Sequence, residues 1–160
     1  MAVTSVAHAD DQAAPASPEE TFVYENAALG LCYHCFRVRI AVLSDGGVAI
    51  TRWRVGPRAS DQGDPSLSRE QVSRARIRRF LQALAPYRPS EEKATIPLLS
   101  ACSMFVTEAG GLTMIWNDAR GYRQLRVDYG CDPARYKAMF DALHHAPGLL
   151  GLGDLLNGKW

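Results

Sequence analysis

Apolar and polar positions alternate most clearly over Phe36–Leu43, where Phe36, Val38, Ile40 and Val42 interleave with Arg37, Arg39, Ala41 and Leu43. A period of two is the signature of a half-buried strand. Ser44-Asp45-Gly46-Gly47 follows, and Val48–Val55 reads as the return strand. Asp-Gly between two such runs predicts a hairpin, because Gly accepts φ > 0 without steric cost. A two-residue Asp45-Gly46 loop sets Phe36, Val38, Ile40 and Val42 opposite Val55, Trp53, Thr51 and Ala49. The same register gathers Arg37, Arg39, Arg52 and Arg54 on the other face.

Beyond the hairpin, residues 56–67 read as a polar loop. Ser68, with Gln71 three residues on, has the form of a capping box. It predicts a helix to about Leu84, with Ile77, Phe80, Leu81 and Leu84 as its buried stripe. Pro86 and Pro89 stop it. Residues 90–97 read as a second loop, and the apolar run 98–106 fits either a short helix or a strand. Gly110-Gly111 breaks the chain before Leu112–Trp116, apolar on both faces and therefore a central strand. Asp118-Ala119-Arg120-Gly121 has the form of a type I turn, and Tyr122–Tyr129 returns. Asp132 then reads as an N-cap, with Pro133 opening the last helix. Its stripe is Tyr136, Met139, Phe140 and Leu143, Pro147 ends it, and residues 149–156 form an apolar tail. The expected architecture is α+β: an antiparallel sheet of four or five strands with two helices on one face, in ββα-ββα order, as a single domain over residues 26–160.

Composition narrows the class. A chain of 160 residues and 17.6 kDa has room for one core, and 47% hydrophobic with 22% charged residues is ordinary for a globular protein. No run approaches the roughly 18 apolar residues of a membrane span. A net charge of +1 argues against a bulk polyanion binder but leaves room for a local patch. The basic residues are almost all Arg; GC-rich coding is the plainer reading of that bias, and selection for forked guanidinium donors is the alternative.

Residues 1–25 hold Asp10, Asp11, Glu19, Glu20 and Glu25 with no Lys or Arg, and read as a disordered acidic leader. Within it, Ala7-His8-Ala9 before Asp10 has the small-x-small form of a signal-peptidase site, which makes the leader the remnant of a signal peptide and the expected location periplasmic or secreted. A cytoplasmic protein with an Ala-rich leader is the alternative.

Cys32, Cys35, Cys102 and Cys131 are the disulfide or metal candidates. Four cysteines allow three pairings, and the spacing does not choose among them. Cys32-Tyr33-His34-Cys35 lacks the His that a c-type haem site needs after its second Cys. It leads into a strand rather than a helix N-terminus, unlike a thioredoxin-type motif. Cys32, His34 and Cys35 are the residues that would hold zinc if any do, with Cys102 and Cys131 able to complete the set. No cofactor is otherwise implied.

The Arg face, Arg37, Arg39, Arg52 and Arg54, is the anion-binding candidate. A solvated sheet face is the plainer reading, and a three-residue turn would break the patch. No nucleic-acid recognition motif is present, and the arginines of the first helix spread around it. There is no P-loop, no G-x-S-x-G and no G-x-G-x-x-G. His144-His145 answer a helix C-terminus, and no catalytic residue is expected.

Cys32-x-x-Cys35 leading into a hairpin, with Trp116 and then Gly130-Cys131-Asp132 downstream, resembles an uncharacterised bacterial cell-envelope domain family over roughly residues 32–146. Many of its members carry Pro after the second Cys, where this chain has Phe36. The resemblance implies an exported α+β domain and assigns no activity. The expectation is a non-enzymatic envelope protein that binds an anionic ligand or a protein partner. A Cys-based metal or redox protein, and a cytosolic anion or nucleic-acid binder using the Arg face, are the alternatives.

Overall fold

The computed structural model describes residues 19–27, 35–55, 63–107 and 109–152, with Cys35, Val55 and Leu99 described by backbone alone. Among the described residues seven strands form one sheet: β1 (Glu20–Ala27), β2 (Cys35–Leu43), β3 (Val48–Val55), β4 (Ser66–Glu70), β5 (Lys93–Ile96), β6 (Gly111–Asp118) and β7 (Gly121–Asp128). Helix α1 (Arg74–Leu84) joins β4 to β5, and α2 (Lys137–His145) follows β7. The sheet order is β4-β3-β2-β1-β6-β7-β5. All neighbours are antiparallel except β5 and β7, which are parallel. The α+β class therefore holds, while the sheet is larger than the expected four or five strands and the order is not ββα-ββα.

The strand at the sheet centre, β1, falls in the segment expected to be a disordered leader. Residues 20–25, assigned by charge to a disordered segment, form most of β1, so the domain begins before residue 26. Phe22 and Tyr24 point to the helices and Val23 to the other face, all at most 1% exposed. Acids obscure this strand, because Glu20 and Glu25 are themselves buried beside arginines of β2. The remaining leader, residues 1–18 with the Ala7-His8-Ala9 site, lies outside the described residues.

The β2–β3 hairpin differs from expectation by one residue. Phe36 pairs with Arg54, Val38 with Arg52, Ile40 with Ile50 and Val42 with Val48. Its loop has three residues, closed by Gly46 N–H to Leu43 O and Leu43 N–H to Gly47 O, both 2.9 Å. Gly46, at φ 83°, takes the left-handed conformation that such a loop requires. This register puts Val48 and Ile50 into the core beside Val42 and Ile40.

Ser68 does not cap α1, because its backbone is in the β3–β4 ladder opposite Ile50. Every residue of β4 is exposed, so ladder hydrogen bonds rather than side-chain burial hold this edge. Ser73 caps the helix instead, its side chain accepting from Arg76 N–H. Residues 90–97, expected as loop, contain β5, paired with Gln124–Val127. Residues 98–106 hold one 3-10 turn (Leu99–Ala101) and a single bridge from Phe105 to Cys131. Asp132 does not cap α2, which starts at Lys137 with Tyr136 as cap residue.

Both helices pack on one face. Ile77, Phe80 and Leu84 of α1 with Phe140 and Leu143 of α2 close over Phe22, Tyr24, Ile40, Met114, Trp116 and Leu125. Phe22 receives Phe80 and Trp116 edge-on, at centroid distances of 5.5 and 5.3 Å. The Tyr24 hydroxyl donates to Leu143 O at 3.0 Å, which ties the sheet centre to the end of α2. Burial pushes the Tyr24 phenol well above its ordinary pKa, and Tyr129 beside it is raised for the same reason. A smaller cluster of Val23, Ala41 and Ile115 lies on the opposite face and contains no helix residue.

Candidate functional site

The apolar run 98–106 is neither buried nor regular, and this sets it apart. Leu98, Met104, Phe105 and Val106 are 64, 53, 54 and 43% exposed. Exposed apolar side chains scattered singly need no explanation, whereas these four share one loop.

Three devices hold this loop. Cys102 and Cys131 form a disulfide with Cα atoms 5.4 Å apart, closing a separation of 29 residues. Asp132 sits beside it at φ 42° and is 5% exposed. Its carboxylate accepts from Ser103 N–H at 2.9 Å, the Ser103 hydroxyl at 2.7 Å and Met104 N–H at 2.7 Å. These bonds, the Ser103 backbone donor first, lower the Asp132 pKa. Finally, Val106 N–H donates to Gly130 O and Asp132 N–H to Met104 O, at 2.8 and 2.9 Å. Gly130 fits only because it lacks a side chain: a Cβ there would overlap the Val106 carbonyl oxygen. Gly130-Cys131-Asp132 is thus a clasp, each residue gripping the 102–106 segment in a different way.

Among the predicted site residues, Cys102 and Cys131 are joined, so neither is available as a thiolate for zinc. Cys32, His34 and the Cys35 side chain lie outside the described residues. Among the described residues no group of three or more His, Cys, Asp or Glu is placed to hold a metal ion.

The four arginines are not brought together. The one-residue change in register puts Arg52 and Arg54 on the helix-covered face, opposite Val38 and Phe36, while Arg37 and Arg39 face the other way. Arg37 donates through Nε to Glu25 at 2.7 Å and lies over the Trp53 ring at 5.6 Å. Arg39 makes a two-point contact with Glu20, its Nη2 2.9 Å from Oε2, and its Nε is 3.4 Å from Glu25. Arg37 and Arg39 are therefore largely occupied by acids from the segment read as leader.

Sequence reasoning also missed Arg88 and Asp118. Arg88 grips Asp118 with two nitrogens at 2.6 and 3.1 Å and donates to Gly121 O at 2.9 Å, which fixes the β6–β7 turn to the end of α1. The Arg88 guanidinium is the main cause that lowers the Asp118 pKa to about 2. The exposed loop itself had one sequence signal: an apolar run without either period.

No helix among the described residues is long and apolar enough to cross a membrane. No protein-family model, curated protein or solved structure matches this chain, and the resemblance carried by Cys32-x-x-Cys35 and Trp116…Gly130-Cys131-Asp132 rests on those residues alone.

Proposed function

We propose that this is an exported bacterial envelope protein that works by binding a protein partner through the loop between β5 and β6, without catalysis of its own. The observation that carries it is the exposure of Leu98, Met104, Phe105 and Val106 on a segment anchored by the Cys102–Cys131 disulfide and by Asp132. Exposed apolar groups cost little entropy on binding when their backbone is already fixed. A structural disulfide fits an oxidising compartment.

The test uses protein in its own host. A photo-crosslinking residue at Phe105 gives a discrete protein adduct in the envelope fraction, and the same residue at Ala83, exposed on α1, gives none. In the protein purified from that host, alkylation labels Cys102 and Cys131 only after reduction. Thiols that label without reduction, or adducts equal at the two positions, overturn the reading.

A further inference from the structure

A second surface lies away from that loop. Along α1, Arg74, Ile77, Arg78 and Leu81 form one edge of the helix, and they line a groove of about 520 Å³ with the β2–β3 turn on one side and Arg120 across it. The floor is apolar, from Ile77 and Leu81. The rim is basic, and the bases are little used. Arg74 and Arg78 have no hydrogen-bond or ionic partner among the described residues. Arg120 reaches Asp118 at 3.3 Å, but that carboxylate is already gripped by Arg88. The one acid on the rim, Asp45, is bonded to Arg69 and to Gly47 N–H.

The helix places this charge against its own interest. Arg74 and Arg76 stand in the first turn of α1, where no acid accompanies them and the macrodipole is positive. No basic residue stands in the last turn, where the dipole would favour one. A negatively charged group bound between Arg74, Arg78 and Arg120 would meet guanidinium donors, those of Arg74 and Arg78 answered by no acid among the described residues.

We infer that this groove binds a small organic anion, with its phosphate or carboxylate held by Arg74, Arg78 and Arg120 and its apolar body resting on Ile77 and Leu81. The volume is within the range of ordinary small-molecule sites. Phosphate and carboxylate share this recognition chemistry, and the probes below separate them.

The experiment is calorimetric titration of the full chain with phenyl phosphate, benzoate and inorganic phosphate. Phenyl phosphate or benzoate binds, and the tighter of the two names the charged group. Inorganic phosphate binds at least tenfold more weakly than phenyl phosphate if the apolar floor takes part. R74Q/R78Q weakens binding at least tenfold, while R54Q/R79Q, which removes two exposed arginines outside the groove, leaves it within twofold. Unfolding midpoints of both double variants close to the parent's show that any loss of binding is not a loss of fold. No binding of either organic probe, or equal loss in both double variants, overturns the inference.

Discussion

Glu25 stands directly opposite Arg39 across the β1–β2 ladder, its Oε2 3.4 Å from the Arg39 Nε, on the sheet face that neither helix covers. Glu25 is 3% exposed and also accepts from Arg37. Two cations and two acids are thus packed at the middle of the sheet, since Arg39 also holds Glu20. Removing one member of a buried network leaves the others desolvated and unanswered. Glu25→Ala is expected to lower unfolding free energy by about 3 kcal/mol. Arg54→Ala, at an exposed position, is expected to stay within about 0.5 kcal/mol. Urea denaturation of the two variants checks this, and equal midpoints would remove the network from the account of the sheet.

Acid sensitivity follows from Asp118. Its folded pKa is lowered to about 2 by Arg88, so its contribution is fully present above the ordinary carboxylate pKa of about 4 and is lost as pH falls toward the folded value. Asp118→Asn is expected to be less stable than the parent at pH 7. The gap should narrow below about pH 4 and nearly close near pH 2. Thermal unfolding across that range decides it; a gap constant with pH would mean the pair acts by shape rather than charge.

The disulfide has a separate expectation. Closing a separation of 29 residues removes chain entropy worth roughly 3–4 kcal/mol from the unfolded state. Cys102→Ser/Cys131→Ser is expected to fall by that order in denaturant, and reductant should destabilise the parent more than the variant. Exchange of amide hydrogens at Met104 and Val106 should speed up more than at Leu125 in the core.

Gly130 and Gly148 make a matched pair. An added Cβ at Gly130 meets the Val106 carbonyl oxygen, whereas at Gly148 nothing lies within 4 Å. Gly130→Ala is expected to cost about 1–3 kcal/mol through forced backbone displacement. Gly148→Ala is expected to be neutral or slightly stabilising. Similar midpoints for both would show that the 102–106 segment yields freely and is not clasped.

Local pattern was enough for the two hairpins and the buried sides of both helices. Each is written within a few residues: alternation around Asp45-Gly46 and around the Asp118–Gly121 turn, and the stripes Ile77, Phe80, Leu84 and Phe140, Leu143. Partners that close in sequence carry their own signal. The pairing of Cys102 with Cys131 stayed open, since proximity across 29 residues is a property of the folded sheet.

Tertiary structure decided the rest, and each case has a physical cause. β1 reads as polar because its acids find their cations only when β2 lies beside it. β4 and β5 are edges that contribute backbone hydrogen bonds and bury little, so hydrophobic pattern does not mark them. The hairpin register turned on one residue of loop length, and both registers look plausible because β3 has apolar side chains on either face. The sheet settles it by placing Val48 and Ile50 against the core, which moves Arg52 and Arg54 to the other face from Arg37 and Arg39. The exposure of the apolar 98–106 run and the basic groove were not legible for the same reason: a chain records which side chains are apolar or charged, and only packing determines which of them are left without a partner.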